Sequence, residues 1–154
     1  MKTIEQQIEL FKNNRFFCNE EQYYESMSEF DEIFNSKDIE KLYPLLYLID
    51  DDSEHSEITQ VFVDGIMSFY DLNKNRFVEI IIENIDLLHQ NAKEWLEIIV
   101  INITNNNESK ELVLNNLKRL PKENLQKFKD VYYKISIAHP VCKYNKIYNL
   151  LDVV

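Results

Sequence analysis

A chain of 154 residues that contains one glycine has few ways to turn sharply. Sheet proteins of this size depend on tight hairpin turns, and glycine supplies many of the positive-φ positions those turns need. With three prolines besides, the chain is expected to be all-α, with helices joined by short polar links. Ile, Leu, Phe and Tyr are frequent enough to offset chain entropy, which argues against disorder. A domain this long buries roughly 68–70% of its unfolded surface, so it needs no covalent or metal staple. The two cysteines, Cys18 and Cys142, read as reduced, buried thiols behaving as small hydrophobes. The opening Met1–Gln6 has no apolar signal core, and no apolar run approaches ~18 residues. The expected location is the cytoplasm.

Apolar spacing sets out the helices. Thr3 and Gln6 have capping-box spacing before Ile4, Ile8 and Phe11. Asn19 caps a second helix whose Tyr23, Met27, Phe30 and Phe34 share a face. A third helix is expected over roughly 37–49, with Ile39, Leu42, Tyr43, Leu46 and Ile49 inward and Pro44 kinking it or lying in its first turn. The clearest pattern is Ile58, Val61, Phe62, Gly65, Ile66 and Phe69. Gly65 costs roughly 1 kcal/mol of helix propensity there, so a close helix approach is its expected reason. Further helices follow Asn73 (Phe77, Val78, Ile81, Ile82), surround Ile85–His89, and carry Ala92, Trp95, Leu96, Ile99 and Ile103. After Asn105-Asn106-Asn107, helices are expected near 108–119 and after Pro121 (Leu125, Phe128, Tyr132, Ile135), then beyond Pro140 (Tyr144, Ile147, Tyr148, Leu151). The rhythm suggests a HEAT-like α-solenoid of antiparallel helix pairs, with an irregular helical bundle as the alternative.

Charge is uneven. Residues 1–100 carry 22 acidic and 8 basic side chains, whereas 101–154 carry 5 and 9, for a net −10. Such acidity repels nucleic acid and favours a basic partner. It also serves simple solubility. The basic group Lys118, Arg119, Lys122, Lys127, Lys129 and Lys134 reads as a solvated helix face.

Catalytic and metal motifs are hard to find. Asp50, Asp52 and Glu54 alternate like the start of a calcium loop, but His55 and Val61 stand where glycine and glutamate are needed. His55, His89 and His139 lack zinc-ligand spacing, and there is no CxxC. His139 and Cys142 lack an orienting third group for nucleophilic chemistry. A single glycine cannot build a P-loop, a dinucleotide fingerprint or a nucleophile elbow. No cofactor and no metal are expected. In the doublets Tyr23-Tyr24 and Tyr132-Tyr133 only one ring can point fully inward, and exposed tyrosines suit protein-binding surfaces.

Asp38-Ile39-Glu40-Lys41-Leu42-Tyr43-Pro44-Leu45-Leu46-Tyr47-Leu48-Ile49-Asp50-Asp51-Asp52, then Phe62–Phe69, Phe77–Ile81, Ala92–Trp95 and Arg119-Leu120-Pro121, resemble the Immunity protein 30 family in their order over roughly 38–140. The resemblance implies a cytoplasmic immunity protein of a bacterial polymorphic toxin system, which binds its cognate toxin domain and blocks it. The residues themselves lead to the matching expectation of no enzyme, no nucleic-acid partner and no membrane. The toxin's chemistry and the oligomeric state stay open. On this reading residues 1–154 form one domain: N-terminal helices over 1–36, a family-like core over 37–140 and a C-terminal helix over 141–154. The residues expected to meet a basic toxin are Asp50, Asp51, Asp52, Glu54, Glu57 and Asp64, with Tyr23, Tyr24 and Tyr47 as aromatic anchors. Against a nuclease, the carboxylates would stand in for phosphate. Rival readings are a helical-repeat adaptor for another intracellular protein and an enzyme with an acidic site. Genomic position beside a toxin gene separates the first rival, and clustered carboxylates with perturbed pKa would support the second.

Overall fold

The computed structural model describes residues 2–104 and 107–138, with the side chain of Asn107 left aside. His139, Pro140, Cys142 and the expected last helix lie outside the described residues, as do Asn105 and Asn106. Among the described residues the chain is all-helical: α1 (Ile4–Asn14), α2 (Glu20–Ser36), α3 (Leu42–Leu45), α4 (Ser56–Ser68), α5 (Lys74–Glu83), α6 (Ile85–Asn91), α7 (Lys93–Thr104), α8 (Asn107–Leu117) and α9 (Lys122–Ala138), with 3-10 turns at Ile39–Lys41 and Phe69–Asp71. The packing divides into two compact units, Met1–Phe77 and Val78–Val154.

In the first unit, α1 opens with the capping box: Thr3 Oγ1 accepts from the Gln6 N–H and Gln6 Oε1 accepts from the Thr3 N–H. The face that α1 buries is Gln7, Phe11 and Asn14, leaving Ile4 exposed. Against it, α2 buries Ser26, Glu29, Phe30 and Ile33, one step round from the expected stripe, so that Tyr23 and Met27 are half-buried and Phe34 is exposed. The shift has a polar cause. Gln7 Nε2 donates to Glu29 Oε1 at 2.7 Å, Lys2 Nζ reaches Glu29 Oε2 at 2.8 Å, and Asn14 Nδ2 donates to Glu25 Oε2 at 3.2 Å. These pairs run α1 and α2 antiparallel. Burial pushes the Glu29 carboxyl up, but its bonds from Lys2 and Gln7 outweigh that and hold it below its ordinary value.

The expected third helix is not continuous. A 3-10 turn opened by the Asp38 side chain leads into the four-residue α3. Pro44 is the third residue of that short helix, where no N–H is required. Leu42, Leu45, Leu46, Leu48 and Ile49 are buried, while Ile39 and Tyr43 are half-buried.

α4 buries Thr59, Phe62, Val63 and Ile66, and Val61 faces outward. A β-carbon at Gly65 would stand 2.1 Å from the tip of the Phe30 ring. Phe30 also meets Phe62 edge-on at 5.1 Å, and Phe34 meets Phe69 at 6.1 Å. The contacts advance together along both chains, so α2 and α4 run parallel, with the absent side chain at Gly65 admitting the ring.

In the second unit, α7 packs with α8 and α9, and α6 packs with α7 and α9. Its core includes Ile85, Leu88, Leu96, Ile99, Ile103, Leu117, Phe128 and Tyr132. Trp95 is half-buried rather than inward. Tyr133 is 52% exposed beside the buried Tyr132, as the doublet argument requires. Two members of the basic group are not simply solvated: Lys127 pairs with Asp86 of α6 and with Glu123 at 3.2 Å, and Lys134 pairs with Glu97 of α7 at 2.6 Å. Burial, aided by Lys93, pushes His89 of α6 below its ordinary pKa.

Gly65→Ala adds about 1 kcal/mol of helix propensity but overpacks the Phe30 ring, which typically costs about 1–3 kcal/mol. The expected result is a lower urea midpoint, partly restored by Phe30→Leu in the same chain. A midpoint that rises in the single variant would show that the ring moves away freely. Glu29→Ala leaves the buried Gln7 amide without its acceptor and should cost about 1–3 kcal/mol. Because the folded carboxyl lies below its unfolded value, its contribution is present above the unfolded pKa and is lost as pH falls through the folded one. The wild-type and Glu29→Ala stabilities should therefore converge in acid, and a constant gap down to pH 2 would remove Glu29 from the linkage.

Candidate partner-binding face

The corner between α1 and α2 is made without glycine. Phe17 adopts the left-handed region at φ 50°, which costs an ordinary residue roughly 1–2 kcal/mol. Its N–H bonds to the Asn14 carbonyl at 2.8 Å, and its buried ring stacks on Phe62 at 5.4 Å. The turn delivers Cys18, whose N–H bonds to Gln22 Oε1 at 2.8 Å, and Asn19, whose Oδ1 caps α2 through the Gln22 N–H at 2.9 Å. Cys18 is exposed, not buried as a small hydrophobe.

The acidic loop approaches this corner. Asp50 is 3% exposed and differs from its neighbours. Its Oδ1 accepts from the Asp52 N–H at 2.9 Å, and its Oδ2 lies 3.2 Å from Arg15 Nε. Asp50 therefore ties the loop to α1 and curls the chain beyond it. Asp51, Asp52, Glu54 and Glu57 are exposed, and Glu57 Oε1 stands 3.6 Å from His55 Nδ1.

Two open clefts lie along the junction and share Cys18 and His55. One, of about 260 Å³, has Phe17, Asn19, Glu20, Tyr23 and Ile58 on its walls. The other, of about 320 Å³, has Phe16, Asp52 and Glu54. The fold thus brings Tyr23 together with Asp52 and Glu54 around one rim. Tyr24 is 64% exposed on α2, its ring 5.3 Å from that of Tyr23. Asp64 is exposed on α4 and accepts from Gln60 Nε2 at 2.7 Å. Tyr47 is half-buried, its hydroxyl 2.9 Å from that of Tyr43 and its ring beneath Lys12 Nζ at 4.8 Å. Burial and then the Tyr43 hydroxyl push its phenol up to about 12. Tyr47 is thereby a neutral hydrogen-bonding group at ordinary pH.

Phe16, Phe17, Cys18, Glu20 and His55 also line these clefts, and the sequence pattern assigns none of them to a partner surface. The legible hint was Asn19, because a helix cap must sit at a corner. Among the described residues no three His, Cys, Asp or Glu side chains group closely enough to hold a metal ion, and no helix is long and apolar enough to cross a membrane.

The family model for Immunity protein 30 matches residues 13–113. The chain belongs to that family. The match begins in the last turn of α1 and ends in α8, so it starts earlier and stops sooner than the segment order that suggested the likeness. It contains the whole corner and the acidic loop. No curated protein and no solved structure matches the chain.

The inward and outward aspartates of this immunity-family loop should separate cleanly. Asp50→Ala leaves the Asp52 N–H without its acceptor and Arg15 without its ion-pair partner, and is expected to cost about 1–3 kcal/mol, with Asp50→Asn restoring part through its amide oxygen. Asp51→Ala and Asp52→Ala should stay within about 0.5 kcal/mol of wild type. Thermal melts that rank Asp50→Ala with the other two would refute the anchoring role.

Proposed function

We propose that this member of the Immunity protein 30 family is a cytoplasmic protein that binds a cognate bacterial polymorphic toxin and neutralises it by stoichiometric occlusion, without turnover, cofactor or metal. Family membership carries the reading. The corner of Tyr23, Tyr24, Asp51, Asp52, Glu54 and Glu57 supports it, because outward carboxylates beside exposed rings suit a basic protein surface. Asp50 acts as their anchor, Asp64 extends the acidic surface along α4, and Tyr47 adds an aromatic anchor. We take residues 1–154 to act as one immunity domain.

The proposal is tested by expressing the product of the adjoining toxin gene with and without this chain. Growth rescue and a one-to-one complex are expected. Asp51→Lys with Asp52→Lys should slow association and flatten its dependence on salt, since rim charges act mainly on encounter. Failure of the wild-type chain to rescue growth or to bind the toxin rejects the function. Unchanged association kinetics in the double variant take the loop out of the interface.

A further inference from the structure

A third depression lies at the far end of the α2–α4 pair, formed by Phe34, Asn35 and Lys37 on one side and Ser68, Phe69 and Leu72 on the other. Its volume is about 110 Å³, well under the roughly 300–1,000 Å³ of small-molecule sites. It suits one inserted side chain and not a metabolite. Its lip is apolar and open: Phe34 is 43% exposed and Leu72 45%. The floor is rigid, because Phe34 stacks on Phe30 at 6.2 Å and meets Phe69 edge-on, while Lys37 ends α2 in the left-handed conformation with its N–H on the Phe34 carbonyl.

Charge decides what such a slot would accept. Asp31 is one helical turn before Phe34, Asp64 is one turn before Ser68, and Asp71 adjoins Leu72. All three are exposed, against Lys37 at the slot and Lys74, two residues beyond Leu72, whose Nζ lies over the Tyr70 ring. The slot also shares a face with the corner already described. Tyr23 and Phe34 are eleven residues apart on α2, a rotation of only about 20° and a rise of about 16 Å. One surface on a partner can span both.

We infer that this slot is a second contact for the toxin domain, receiving one apolar side chain carried on a basic segment of that domain. The inference rests on the immunity reading and adds the hydrophobic anchor that the acidic corner lacks. A charged rim steers encounter, whereas a desolvated plug at an interface centre governs dissociation.

The test uses the full chain and the product of the adjoining toxin gene. Leu72→Lys and Leu72→Ser should each leave the melting temperature near that of wild type, because the side chain is nearly half exposed. Each should raise Kd at least about 30-fold, mostly through faster dissociation. Ile137→Lys, an equally drastic change at an exposed apolar position in the second unit, should leave Kd unchanged. Kd within twofold of wild type for both Leu72 variants overturns the slot while leaving the immunity function standing. Sedimentation of the chain alone covers the competing occupant: a dimer that Leu72→Lys dissociates, with toxin affinity intact, assigns the slot to a second copy and likewise overturns it. Absence of wild-type binding rejects the immunity reading itself.

Discussion

The first unit is organised around a ring seated on a helix. Phe30 of α2 rests where Gly65 of α4 has no side chain, and Phe17, Phe62, Phe34 and Phe69 form a connected series of aromatic contacts about that point. Interiors are close-packed and felt at the scale of a methylene, so this contact sets the separation of α2 and α4. The two ends of the pair then open into depressions, one at Tyr23 and Ile58 and one at Phe34 and Leu72. The surfaces available to a partner are consequences of the packing between them.

Acidity has two roles in the same unit. Glu29 and Asp50 are buried and work inward: one joins α1 to α2 through Lys2 and Gln7, and the other joins the acidic loop to Arg15. A buried carboxylate is tolerated only with partners, and each has a cation and a neutral donor. The remaining loop carboxylates stay solvated, where isolated ion pairs contribute little to stability. Surface charge of this kind acts mainly on encounter with a charged molecule. That division is what a protein acting by surface complementarity needs: internal charges that hold the scaffold, and external ones that meet a partner.

Membership of the Immunity protein 30 family gives this surface its context. On the proposed reading, inhibition by occlusion requires no reactive group, only a rigid shape with compatible charge, and the left-handed Phe17 would serve that need. Conformational strain at the corner is offset by a buried, stacked ring, and the strained turn is what places Cys18 and the cap Asn19 beside the acidic loop. Strain held by surrounding packing is a common way of pre-setting a binding surface.

Much was settled by local chemistry alone. The single glycine and the apolar periodicity determined an all-helical chain, because both act within a few residues. The Thr3–Gln6 box, the Asn19 cap, the close approach at Gly65 and the split Tyr132–Tyr133 doublet were legible for the same reason. Other features depended on what lay across the interface. The buried face of α2 moved from Tyr23–Met27 to Ser26–Glu29 because Gln7 of α1 and Lys2, just before that helix, satisfy a carboxylate that periodicity assigns to solvent. The helix expected over 37–49 shortened to a 3-10 turn and α3. Asp50 turned inward, paired with Arg15, while Asp51 and Asp52 stayed exposed. Periodicity reports the polarity of a helix face, and only tertiary contact decides which polar groups on it find a partner.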